Sequence, residues 1–471
     1  MSNFRLESDS IGTLEVPAGA YYGVQSLRGK LNYPITGNMI HPMQINMLAG
    51  LKKACAIANH ASGLMDEKVR DAIIQASEEV MAGKLHEEFI VDAIQGGAGT
   101  SANMNANEVI ANRANEIMGG GLGEYNYVHP NDHVNMSQST NDIYPSSGKL
   151  AALALMPALL DELTRLYNTL MAKAEEFDGI LKTGRTQLQD AVPIRLGQEF
   201  HAYASAIKRD IDRISACRSQ ISVLNMGASA IGTAINVSPI YLERIAKDVS
   251  EACGIEVTCT TDLVDGTQNL DGLVAVSGTL KTCCVTLSKM CNDLRLMSSG
   301  PRTGIGEINL PAKANGSSIM PGKVNPVIPE VVSQVAFRIA GNDVTISMAV
   351  EGGQLELNAF EPVAFDALFQ SIIILDRAVQ TLTVNCVDGI TANIDRCRKL
   401  LDNSVGIVTA LCPHIGYSQA AKLAKESLAT RIPIRKLIIA RNILTEEECN
   451  TILNPFSMTA PGISGEELIN K

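Results

Sequence analysis

From Leu196 onward, apolar residues recur at steps of three and four: Leu196, Phe200, Tyr203, Ile207, Ile211, Ile214 and Ile221. At 3.6 residues per turn these positions fall on one narrow stripe of a helix. The expected helix starts at Pro193, where a first-turn proline is tolerated, after a turn at Asp190. Comparable stretches cover about 146–176, 272–298, 327–350 and 362–388. Thirty helical residues span about 45 Å, more than a compact domain requires. Such stripes fit long helices packed side by side, with their remaining faces covered by other subunits. The expected fold class is all-α.

Organisation along the chain supports three domains, also the number that 471 residues suggest. Residues 1–140 form a mixed, mainly helical domain with Gly/Pro-rich and polar segments, 141–395 a central long-helix domain, and 396–471 a small helical C-terminal domain. No run reaches the length of a membrane helix; the longest, near Leu150–Leu160, is too short. The acidic, polar opening MSNFRLESDSIG is no signal peptide. Eleven cysteines are scattered without a CxxC pair, which fits reduced thiols in a cytoplasmic protein. A net charge of −11 argues against nucleic acid and anionic membranes as partners. An anionic ligand would therefore need local positive partners.

Four polar segments interrupt the helical background. In the first, Gly96-Gly97-Ala98-Gly99 leads into Thr100 and Ser101, and glycines before a helix start leave N–H groups free for an anion. No Lys-Ser/Thr pair follows, so this is not a P-loop, and taken alone it reads as a helix cap before it reads as an anion site. The second, Ser137-Gln138-Ser139-Thr140-Asn141-Asp142, offers hydroxyls and an amide that grip a carboxylate without adding charge. It could equally cap a helix beginning near Ser146. Upstream, His129 and His133 bracket Pro130, which disfavours a metal pair on one helical face. The third, Gly184-Arg185-Thr186-Gln187-Leu188-Gln189-Asp190, is a polar turn before the Pro193 helix. The fourth, GSSIMPGKVNPV from Gly316 to Val327, cannot be helix interior, because glycine and proline are costly there. A serine acting as a base needs N–H groups or a cation to stabilise its oxyanion, and the glycines and Lys323 could supply both. Together the four segments describe a pocket for a small dicarboxylate.

The run Gly316-Ser317-Ser318-Ile319-Met320-Pro321-Gly322-Lys323-Val324-Asn325-Pro326 resembles the signature of the aspartase/fumarase superfamily. The other three segments resemble its remaining motifs in the same order, along essentially the whole chain. The resemblance implies a homotetramer with a twenty-helix core, five long helices per subunit, and active sites shared between subunits. It implies anti elimination across a fumarate double bond through an aci-carboxylate, with Ser317 as the base on a mobile loop. Thr100, Ser139, Thr140 and Ser318 would then hold the β-carboxylate, and Lys323 and Asn325 the α-carboxylate. Thr186, Gln187 and Asn141 would lie near the leaving group. Arg28, in YYGVQSLRG, is a weaker candidate for anion steering.

The resemblance also bears on which branch of the family this is. Water-releasing members resemble GRTH in the third motif and pair that histidine with a glutamate matching Glu330; this chain has Gln187 there. GQLELNAFEP at Gly353–Pro362 is similar to the ammonia-releasing members, and Asn126 stands where many water-releasing members carry an arginine. The expected leaving group is ammonia, with water as the alternative. No cofactor or metal site is implied, although some ammonia-releasing members respond to a divalent ion.

Overall fold

The computed structural model describes residues 3–469. It is predominantly helical, and its β structure among the described residues is four two-stranded sheets and two isolated bridges. The first sheet pairs β1 (Phe4–Ser8) with β2 (Thr13–Pro17), antiparallel. Four helices follow: α1 (Val24–Asn32), α2 (Pro42–Ala61), α3 (Glu67–Met81) and α4 (Thr100–Ile117). The long α5 covers Thr140–Glu176, and a hairpin of β3 (Leu181–Thr186) and β4 (Gln189–Arg195) leads into α6 (Leu196–Cys217). Next come α7 (Pro239–Cys253), α8 (Leu263–Gln268), α9 (Asp271–Met297), α10 (Val327–Glu351) and α11 (Glu361–Asn385).

Two compact units emerge from the contacts. One holds residues up to Asp161, Asp210–Cys284 and Val335–Arg377; the other holds Glu162–Arg209, Val285–Gln334 and the chain from Ala378. Every boundary between them falls inside one of the five long helices α5, α6, α9, α10 and α11. In the first unit α2 packs on α3 and α7, and α3 and α1 pack on α4. Ile45, Leu48, Leu51, Ile73, Val109 and Tyr241 are fully or almost fully buried there. In the second unit a separate apolar cluster of Leu411, Leu423, Ile434, Leu437, Ile438 and Ile452 holds the short C-terminal helices together.

Two helices start at other residues than their apolar patterns suggest. The helix expected from Pro193 starts at Leu196, because Pro193 lies in β4 opposite Thr183. The helix expected from about 146 starts six residues earlier, at Thr140. Pro145, inside α5, lacks the N–H that would bond the carbonyl four residues back, at Asn141. The side-chain amide of Asn225 donates to that carbonyl instead, at 3.0 Å. The borrowed donor lets the helix run through the proline.

By length and composition α5 could cross a membrane, with a mean hydropathy of 1.2 in its most apolar window, yet 72% of that window is buried in the fold. A core helix of a globular protein has that character. All eleven cysteines are free, eight of them buried.

Candidate active site

Three of the expected ligand residues share the start of α5. Ser139 precedes the helix and its Oγ accepts from the Asn141 backbone N–H at 3.2 Å, so the hydroxyl proton is left to point elsewhere. Thr140 is almost fully buried, and its Oγ1 accepts from Asn103 Nδ2 at 3.1 Å. Its proton is likewise free to be donated. Two hydroxyls whose acceptor side is occupied and whose donor side is open suit a carboxylate. Asn141 differs: its Nδ2 donates to the Ala230 carbonyl at 2.7 Å, which turns its Oδ1 into an acceptor suited to an ammonium.

The same short helix start is braced from below by Asp142. This fully buried carboxylate accepts from the backbone N–H groups of Ser139 (2.9 Å), Gly227 (3.2 Å) and Ser229 (3.2 Å). Burial pushes its pKa up to about 7, against the pull of those donors.

Thr100 begins α4, one turn before Asn103. Gly99, the residue before it, has φ 85°, and a Cβ there would lie 2.3 Å from the Tyr144 ring, so only glycine fits. The exposed Thr100 hydroxyl donates to the Gly97 carbonyl at 2.7 Å, so it must rotate to reach a ligand. It lines a cavity of about 600 Å³ together with Gly96, Gly97, Ser101, Arg28 and His129. Arg28 is already committed: its guanidinium grips Asp9 at 2.9 and 2.8 Å and holds that carboxyl below its usual pKa. The pair is locally neutral. His133 Nδ1 accepts from the His129 N–H at 2.8 Å, and His129 Nδ1 faces the N–H groups of Asn131 and Asp132. Among the described residues no cluster of three or more His, Cys, Asp or Glu could hold a metal.

In the second unit, Thr186 and Gln187 sit at the tip of the β3–β4 hairpin. The polar turn expected there is a two-residue hairpin turn in which Gln187 (φ 54°) and Leu188 (φ 62°) both take left-handed conformations. Neither is glycine, asparagine or aspartate, and each left-handed residue costs about 1–2 kcal/mol. Strain of this kind collects where a site demands a geometry. The hairpin is tied down by Arg185, which donates to the fully buried Glu307 at 2.9 Å. Lys182 also pairs with Glu307 at 2.9 Å and with Glu199 at 2.8 Å.

Ser317, Ser318, Lys323 and Asn325 share one loop that closes on itself. Asn325 Nδ2 donates to the Gly316 carbonyl at 2.8 Å. A Cβ on Gly316 would stand 1.9 Å from the Lys323 carbonyl, so that crossing needs glycine. Within the loop, Ser317 Oγ accepts two backbone N–H groups, from Ile319 at 3.2 Å and Met320 at 3.0 Å. Ile319 is 83% exposed, and Met320 and Val324 are exposed beside it, an apolar tip that solvent alone does not favour. Glu330, just beyond, lies 4.0 Å from Arg295.

Several residues that shape these segments carry no obvious mark in the sequence. Lys52, Asn135 and Asn225 in the first unit and Glu307 in the second lie far apart along the chain, and the one local signal is the Lys52-Lys53 pair within the largely apolar α2.

Comparison with known proteins agrees with these motifs. A family model described as lyase matches residues 12–341, and one described as fumarase C C-terminus matches 407–460. An aspartate ammonia-lyase from a Bacillus species is 52% identical over 99% of this chain and all of its own length. The Escherichia coli aspartate ammonia-lyase is 46% identical over 98% of this chain and 97% of its own. Among solved structures, a fumarate lyase:delta crystallin from Brucella melitensis, bound to cobalt, superposes with a TM-score of 0.95 at 46% identity, covering 97% of this chain and 100% of its own. A class II fumarase from Schistosoma mansoni reaches 0.94 at only 34% identity, covering 97% and 99%. With one family model over more than two thirds of its length and relatives matched end to end, the chain belongs to the aspartase/fumarase family of lyases.

Proposed function

We propose that this chain is an aspartate ammonia-lyase, a carbon–nitrogen lyase that converts L-aspartate reversibly to fumarate and ammonia. Its near-full-length relatives bear that name. The observation that carries the mechanism is the pair of N–H groups from Ile319 and Met320 on Ser317 Oγ, which stabilise the alkoxide a serine base requires. The alkoxide takes a proton from the carbon beside the β-carboxylate, and the freed electron pair moves into that carboxylate as an aci-carboxylate. Collapse forms the double bond and breaks the C–N bond, and ammonia leaves.

Thr100, Ser139, Thr140 and Ser318 bind the β-carboxylate, and the free hydroxyl protons of Ser139 and Thr140 support that assignment. Lys323 and Asn325 bind the α-carboxylate. Asn141, with its Oδ1 left as an acceptor, receives the ammonium beside Thr186 and Gln187. The active enzyme is a cytoplasmic homotetramer in which the long helices of the central segment, 141–395, form a twenty-helix core, with segments 1–140 and 396–471 as its N- and C-terminal domains. Phe337 (68% exposed), Val344 (57%) and Met348 (69%), on one face of α10, support burial by another subunit.

An ultraviolet assay for fumarate, run in parallel on L-aspartate and L-malate, tests the reading. Fumarate is expected from aspartate alone; formation from malate instead would make the chain a fumarase that works without the usual histidine. Activity is expected to persist in excess EDTA, and its loss would reveal a required metal. Lys323→Met removes a charged hydrogen bond of about 1.5–3 kcal/mol, so KM is expected to rise about 10- to 100-fold. An unchanged KM would refute its assignment to a carboxylate.

A further inference from the structure

Beneath the start of α5 lies a lysine that the reaction as described does not use. Lys52, on α2, is fully buried, and its Nζ donates to Asn103 Oδ1 (2.7 Å), Asn135 Oδ1 (3.0 Å) and Gln138 Oε1 (2.8 Å). Burial pulls the Lys52 pKa down to about 7, but three acceptors match the three N–H bonds of an ammonium, whereas a neutral amine has two N–H bonds and a lone pair, so the geometry favours the charged form. A lysine accepts nothing, so it also dictates which way each amide faces. Asn103 must turn its oxygen to Lys52, which leaves its Nδ2 to donate to Thr140 Oγ1 at 3.1 Å and to Asn135 Oδ1 at 3.1 Å. Thr140 Oγ1 thereby becomes an acceptor on its buried side, and its proton must be donated outward.

We propose that Lys52 and Asn103 are positioning residues that set the direction of the Thr140 hydroxyl, so that a buried ammonium acts through two hydrogen bonds on the substrate β-carboxylate. Every donor in the chain Lys52–Asn103–Thr140 points the same way, and aligned hydrogen bonds polarise one another. The arrangement brings positive potential to the carboxylate on which charge accumulates, without placing a second cation in contact with substrate. The proposal rests on the assignment of Thr140 to that carboxylate.

The test compares Asn103→Asp, Asn103→Ala and Thr140→Val, singly and as Asn103/Thr140 double variants, in the full-length enzyme with L-aspartate. Asn103→Asp keeps the shape and the oxygen that Lys52 binds but replaces the donor facing Thr140 with an acceptor, which draws the hydroxyl inward. Asn103→Ala merely frees the hydroxyl to rotate. The relay therefore predicts that the isosteric variant is the worse one: kcat falls about 10²-fold in Asn103→Asp, as for loss of one oxyanion donor, and less in Asn103→Ala. Loss of packing alone predicts the reverse order, and a penalty from the new carboxylate against Asn135 Oδ1 would persist in a Thr140→Val background, where the relay predicts none. In a Thr140→Val background neither Asn103 change should lower kcat further, and additive losses would overturn the relay.

If Asn103→Asp does not fold, the cycle between Asn103→Ala and Thr140→Val still decides through its additivity. A Thr140→Val enzyme with wild-type kcat would sink both the carboxylate assignment and the relay. An impaired Thr140→Val beside a fully active Asn103→Asp would sink the relay alone.

Discussion

Replacing Ser317 with alanine is expected to lower kcat on L-aspartate by about 10²- to 10⁴-fold, the contribution of a positioned general base. The fold and the assembly should be unaffected, because Ser317 is half-exposed on a loop and its side chain only accepts bonds from within that loop. A serine hydroxyl is a poor base unless its conjugate alkoxide is stabilised, and the N–H groups of Ile319 and Met320 converge on the Oγ at 3.2 and 3.0 Å. Those donors remain in the alanine variant with nothing to stabilise, so the loss falls on proton abstraction and leaves KM within a few-fold. Steady-state fumarate production checks this. A variant that retains kcat would assign the base elsewhere.

The pattern of what could be read in advance has a physical explanation. The five long helices announce themselves because an apolar stripe is a local, periodic signal that tertiary context does not override. The β3–β4 hairpin was hidden because its turn, Gln187-Leu188, lacks the glycine or asparagine that normally marks two left-handed residues. Pro193 then imitated a helix start while sitting opposite Thr183 at an irregular point of the sheet. The early start of α5 was hidden by Pro145, whose disruption is repaired by Asn225, 80 residues further on. The polar segments themselves were legible, since their hydroxyls and amides crowd into short loops. What each hydroxyl donates to or accepts from was not legible. For Thr140 that polarity is set by Lys52 through Asn103, contacts between distant parts of the chain that no local pattern encodes.

A second large effect is expected at Glu108, on the α4 helix that also carries Thr100 and Asn103. The start of α1 has no side-chain cap of its own. Its open N–H groups are taken by two carboxylates from elsewhere: Glu108 accepts from Gly23 (2.8 Å), Gln25 (2.9 Å) and Ser26 (3.1 Å), and Glu7 accepts from Val24 (3.1 Å). The Ser26 hydroxyl adds a further bond to Glu108 at 2.5 Å. Burial raises the Glu108 pKa, while these donors, and the positive end of the helix dipole, favour the ionised form. Glu108→Ala removes the shared acceptor and leaves buried donors unpaired, a loss of about 3–5 kcal/mol. Glu108→Gln keeps one acceptor oxygen but turns an NH₂ group toward other N–H groups, so its cost should be intermediate. Hydrogen exchange at Gly23, Gln25 and Ser26 provides a local readout, expected to accelerate by at least about 10²-fold in the alanine variant. Protection unchanged in both variants would show that α1 is held by its packing on α4, with the carboxylate contributing little. Accelerated exchange would show one residue coupling the N-terminal helix to the element on which Thr100 and the Asn103 amide are mounted.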